Sequence, residues 1–138
     1  MKRLLFGLWL ALLLAGAAQA DDTTGVTVAV LAKTGASWDG NSLPAYPTST
    51  PEITILRITI PAGTILPLHE HPVINAGVLL KGELTVITED DKILNLKAGD
   101  SIVEVVNKWH YGKNTGSEPA EIIVFYAGTP DTPITVKK

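Results

Sequence analysis

From Ile53 to Gly128 the chain is a succession of short runs rich in β-branched residues. Each run is closed within a few positions by a glycine, a proline or an acidic turn. "EITILRITIP" opens the series. "VINAGVLLKGELTVITEDDKILNLKAGDSIVEV" holds three or four further strands, broken at Lys81-Gly82, Glu89-Asp90-Asp91 and Ala98-Gly99-Asp100, and "EIIVFYAGT" adds another near the C-terminus. No segment after residue 20 carries a helical apolar period. Many short strands at regular spacing, with glycine turns and no helices, restrict the fold to an all-β sandwich or barrel.

Two segments precede this series. Lys2 and Arg3, the apolar run Leu4 to Ala18 and the small-x-small triplet Ala18-Gln19-Ala20 have the layout of a secretory signal peptide spanning residues 1–20. The run is shorter than the roughly 20 apolar residues that span a bilayer. The expectation is a periplasmic or secreted protein, cleaved after Ala20, with no membrane segment in the mature chain. Residues 21–52 then comprise a strand, Val26 to Ala32, and a long loop, Lys33 to Pro51, rich in Gly, Pro, Ser and Thr. A loop of that length points to a functional or wrapping segment. Its Trp38 and Tyr46 are expected to be pinned against the core. Residues 53–138 form the barrel, and 21–52 belong to the same domain.

The full chain of 138 residues has a formal charge of −3, which becomes −5 without Lys2 and Arg3. A mildly acidic surface with no basic cluster argues against nucleic acid or an anionic membrane as partner. There is no cysteine, so disulfides, thiolate metal sites and cysteine nucleophiles are excluded.

Only three histidines are present, and two stand one residue apart in "LHEHP". In a strand, residues i and i+2 share a face, so His69 and His71 project together and Glu70 points away. Two adjacent imidazoles can ligate one ion, and neutral imidazole suits Zn, Cu, Fe and Ni. The only histidine available as a third ligand is His110.

The spacing Gly63, five residues, His69-x-His71, three residues, Asn75, six residues, Gly82 resembles the first cupin motif, G-x5-H-x-H-x3/4-E-x6-G. The run from Gly99 through Val105, Asn107, His110 and Asn114 resembles the second, G-x5-P-x-G-x2-H-x3-N. The resemblance covers Ile53 to Gly128. It implies a double-stranded β-helix, the jelly-roll cupin barrel. His69 and His71 would lie on one strand and His110 on a facing strand, around a divalent ion (Fe2+, Zn2+, Mn2+, Cu2+ or Ni2+) in the barrel mouth. It also implies pairing of chains, and the Val26–Ala32 strand could reach a neighbour in a homodimer.

The chain departs from the family pattern in two places. Asn75 stands where the family has a glutamate, usually the fourth ligand. Its amide carbonyl is a weak ligand and its NH2 can only donate. The second motif lacks its proline and its glycine, which loosens the expected turn before His110. Glu104 has two readings: an inward carboxylate that replaces the missing one, or an outward residue that pairs with Lys108. Trp109, Tyr111 and Tyr126 read as core. Catalytic candidates are therefore Glu104 and Asn75, with Asn75 also a candidate ligand.

Two functions fit. One is a metal-dependent enzyme on a small organic substrate, a dioxygenase-type oxygenase or an isomerase or lyase. The other is a module that binds a small molecule or a metal without turnover. The fold cannot choose between them; an inward carboxylate beside the metal favours the enzyme.

Overall fold

The computed structural model describes residues 25–138. The expected signal peptide and the Asp21 start of the mature chain lie outside the described residues. Nine strands follow in order: β1 (Glu52–Ile60), β2 (His69–Glu70), β3 (Ile74–Lys81), β4 (Glu83–Thr88), β5 (Ile93–Lys97), β6 (Ser101–Val103), β7 (His110–Lys113), β8 (Ala120–Gly128) and β9 (Val136–Lys137). No helix occurs among the described residues. The strands form two antiparallel sheets, β1-β8-β3-β6 and β5-β4-β7-β2-β9. The expected all-β double-stranded barrel is therefore the observed architecture, and the breaks at Lys81-Gly82, Glu89–Asp91 and Ala98–Asp100 fall between the strands they were expected to separate.

Alternation dictates what faces inward. In β8, Ala120, Ile122, Val124 and Tyr126 are buried. Their partners Ile60, Ile58, Leu56 and Thr54 line the same side of β1. Leu79, Leu84, Val86, Leu96 and Ile102 complete the core between the sheets. Each such side chain contributes about 1.5–3 kcal/mol by leaving water.

The glycine turns carry the left-handed backbone that the pattern required. Gly82 has φ 74°, and a Cβ there would lie 2.8 Å from the Pro119 carbonyl. At the second-motif position where the family has glycine, Asn107 adopts φ 53°. Asparagine tolerates this region better than other L-residues. The expected loosening of the turn is thus not observed. The Asn107 N–H donates to the His71 carbonyl at 2.9 Å, which ties the turn before His110 to the His69–His71 segment.

Two expectations for the N-terminal segment are corrected. Val26–Ala32 is not a strand but an exposed segment with no ladder partner, and Val28 is 87% exposed. Its alternating valines stay exposed among the described residues, and Ser101 Oγ donates to the Leu31 carbonyl at 2.8 Å. Tyr46 is 74% exposed rather than pinned. Trp38 does pack against the core, and its backbone N–H donates to the Val103 carbonyl of β6 at 2.9 Å.

Candidate metal centre

His69 of β2 and His110 of β7 are direct cross-strand partners. They lie on neighbouring strands of one sheet, not on facing strands as the motif had implied. Directly opposite residues in an antiparallel pair project to the same face, and the two rings stand 4.5 Å apart. His71 lies just past β2, with its ring 5.0 Å from each of the others.

The rings are oriented by main-chain carbonyls. Each Nδ1–H donates: His69 to Pro67 at 2.8 Å, His71 to Ile134 at 2.7 Å and His110 to Lys108 at 2.8 Å. A carbonyl can only accept, so each Nδ1 holds the proton and each Nε2 keeps its lone pair. One ligand atom from each histidine lies within 4.8 Å of the others. Burial lowers the pKa of all three, that of His71 to about 4. They are neutral at physiological pH, as ligation requires.

His110 Nε2 is buried and has no hydrogen-bond partner. An unpaired buried polar atom costs about 1–3 kcal/mol. A cation held between the three Nε2 atoms removes that cost. The donor set therefore fits a divalent ion.

Glu104 turns inward. Its backbone N–H donates to the Asn75 carbonyl at 3.0 Å, which extends the β3–β6 register by one pair beyond Ala76 and Val103. Glu104 and Asn75 thus stand opposite each other, and both are buried, at 8% and 2% exposure. A carboxylate thus stands opposite position 75, at the adjacent strand end. Glu104 Oε1 accepts from Trp38 Nε1 at 2.9 Å and from the Val105 N–H at 3.0 Å. Oε2 lies 3.9 Å from His110 Nε2. Burial raises the Glu104 pKa against these two hydrogen bonds.

Lys108 is not the partner of Glu104. Its Nζ bonds Asp39 at 2.8 Å and Asp90 at 2.9 Å. Burial would raise the Asp39 carboxyl, but hydrogen bonds from Lys108 and Ser37 outweigh it and hold the group at about 2. The long loop thus enters the site twice: through Trp38 on Glu104, and through Asp39 on the residue whose carbonyl orients His110.

Tyr126 is the cross-strand partner of Asn75 on its other side. Glu104, Asn75 and Tyr126 form a polar row across β6, β3 and β8, and all three line one cavity with the histidines. Burial, and then the Glu104 charge, push the Tyr126 phenol up to about 12, so it stays protonated. Tyr126 belongs to the core as expected, yet it also faces the site. Its place at the end of the buried series 120, 122, 124, 126 was the signal for that. Trp38 had no comparable signal beyond the length of its loop. Glu70 lies beside the ligands in β2 but does not line the cavity. Asn114 is structural: its amide donates to the Ile60 and Glu118 carbonyls at 3.0 and 2.8 Å.

The cupin domain family, Cupin_2, matches residues 56–126, more than half of the chain. The chain belongs to the cupin family. Among solved structures it is similar to an oxalate oxidase (26% identity, TM-score 0.52), with 62% of this chain matching 45% of that one. It is also similar to a cupin with a double-stranded β-helix from Methanocaldococcus jannaschii (28% identity, TM-score 0.52), with 56% matching 72%. The DMSP lyase DddQ from Ruegeria pomeroyi shares the fold (24% identity, TM-score 0.55), with 62% matching 43%. The chain thus spans less than half of the lyase and oxidase chains. No curated protein matches the sequence.

Proposed function

We propose that this cupin is a metal-dependent enzyme acting on a small organic molecule, of oxygenase or lyase type. The observation that carries the reading is the convergence of three neutral imidazoles and one buried carboxylate on one partly open cavity. A pure binding module has no need of an inward Glu104 whose second oxygen is left free toward the histidines. The likeness to an oxalate oxidase supports metal-dependent chemistry, without its substrate being carried over.

In this reading His69, His71 and His110 would hold the ion through Nε2, and Glu104 Oε2 would complete the set or take a proton from the substrate. The ion would polarise a bound oxygen atom as a Lewis acid. Trp38 holds Glu104 Oε1, so only Oε2 is free to act. The Tyr126 hydroxyl and the Asn75 amide donate hydrogen bonds to substrate. One N–H of the Asn75 amide already donates to the Val73 carbonyl at 3.3 Å, which leaves the other for substrate.

Protein exported by its own host should carry one divalent ion per chain by elemental analysis. A screen of oxygen uptake and of substrate elimination should then find turnover that Glu104→Gln removes. Turnover retained in Glu104→Gln would refute its role as base. A stoichiometric ion with no turnover in either screen would favour the binding module.

Export with cleavage after Ala20 belongs to the same proposal, and the intact mass of the exported protein, starting at Asp21, tests it. A homodimer does too. It is supported by the exposed apolar groups at Val26, Val28, Val30, Ile53, Ile55 and Phe125. Light scattering that gave the monomer mass at high micromolar concentration would refute it.

A further inference from the structure

The cavity behind the histidines has two unlike ends. The polar row Glu104–Asn75–Tyr126 lies beside the histidines. One step deeper along the same strands the partners are Ile102, Gly77, Val124 and Leu56. Ile102, Val124 and Leu56 line the cavity, and Gly77 adds no side chain between them: a Cβ there would meet Val124 Cγ2 at 3.2 Å. Leu84 and Val86 close it from the other sheet. The cavity has a volume of about 180 Å³, below the roughly 300–1,000 Å³ of pockets that hold drug-sized ligands.

Its charge inventory is equally plain. Among the described residues no lysine or arginine lines it, and its one carboxylate is Glu104. Lys137, the register partner of His69, is exposed and lies outside it. A second anionic group on a ligand would therefore sit deep among Ile102, Val124 and Leu56 with no donor or cation to meet it. An unpaired charge in such a place is strongly disfavoured. An apolar group in the same position replaces water contact with close packing.

We propose that the cavity selects a compact ligand with one polar or singly charged head at the histidine end and an apolar body toward Leu56, Ile102 and Val124, and that it rejects dianions. This rests on the proposed metal site and specifies the substrate class of that site. Monocarboxylates and small neutral carbonyl compounds with short alkyl chains fit; dicarboxylates do not.

Butyrate and succinate make a matched pair, because succinate places a carboxylate where butyrate places a methyl group. Both would be titrated into the Co2+-loaded protein, with the visible Co2+ absorption reporting the head and the methyl NMR signals of Ile102 and Val124 reporting the tail. Butyrate should bind at least about tenfold more tightly, the ratio that ~1.4 kcal/mol gives. Leu56→Lys, on the edge strand β1, should reverse the order by placing an ammonium at the deep end. Equal or tighter binding of succinate to the unaltered protein would overturn the inference, even if the lysine variant does not fold. Binding of neither acid at millimolar concentration would overturn it too. A chain that binds no Co2+ at all would overturn the metal site and this inference together. A chain that binds Co2+ and prefers succinate would overturn only the inference.

Discussion

The two sheets serve one site by different means. In β5-β4-β7-β2-β9 two ligands sit on strands of two and four residues, and His71 lies just past the shorter. Their rings are held by short-range bonds: His69 to Pro67 and His110 to Lys108, each two positions back. Only His71 reaches far along the chain, to Ile134. In β1-β8-β3-β6 three of the strands run eight or nine residues, with nine residue pairs between β1 and β8. Yet the one carboxylate on this side of the site, Glu104, lies just past the end of β6, and its Oε1 is held by the neighbouring Val105 N–H and by Trp38 from a loop 66 residues away. The histidines are thus oriented mainly by local backbone, and the carboxylate by a remote side chain together with the Val105 N–H. A site built this way can keep its metal while the reactivity of its carboxylate is changed from a distance.

If the contrast holds, variants should fall in order of how directly they touch the ion. His110→Ala should have the largest effect. Changing a residue that merely orients a ligand costs about 10–100-fold in metal affinity, so loss of the ligand itself should exceed ~100-fold. The apo fold should survive, because the orphaned Nε2 is removed with the ring. Metal titration and thermal melting of the same sample check both points.

Glu104→Gln should come next, weakening metal affinity by about 10–100-fold, since the ion loses a neighbouring negative charge. The amide oxygen can still accept from Trp38, so the melting temperature should move little. An unchanged affinity would mean that Oε2 does not face the ion.

Trp38→Phe sharpens the contrast most. It keeps an aromatic ring on the core and deletes one donor to a charged group, a bond of ~1.5–3 kcal/mol. Metal affinity should fall about tenfold, and the pH profile of any turnover should shift, while binding of the histidines to the ion stays spectroscopically the same. A loss as large as that of His110→Ala would erase the distinction between the two sheets.

The smallest effect concerns acid. Asp39 is held at about 2 in the folded protein against an ordinary value of 3.8. A carboxyl depressed by folding stabilises above its unfolded pKa, and that contribution is lost as pH falls through the folded value. The unaltered protein should therefore lose on the order of 1 kcal/mol between pH 4 and 2 that Asp39→Asn does not lose. Urea unfolding across that range checks it.

What could be read in the sequence follows the same division. The strand breaks were legible because glycine and acidic turns punctuate β-branched runs. The three histidines were legible because their spacing matches both motifs without a gap. Glu104 was legible only as one of two orientations, because a residue just past a strand end has no fixed face until its partners are known. Trp38 and Asp39 were not legible as site residues, since an irregular loop carries no period from which its contacts can be read. Val26–Ala32 misled for the opposite reason. Its alternation is that of a strand, but alternation does not say whether a sheet edge takes the segment up, and none of the described strands pairs with it.

The central claim is that one divalent ion is held by three Nε2 atoms with Glu104 Oε2 beside them. Anomalous diffraction from a crystal of the metal-loaded protein measures this most directly. The account predicts a single peak within ligand distance of Nε2 of His69, His71 and His110, with the Glu104 carboxylate next to it and still bonded to Trp38. A peak bound through Nδ1, a peak elsewhere in the barrel, or a Glu104 side chain turned out to solvent would contradict it.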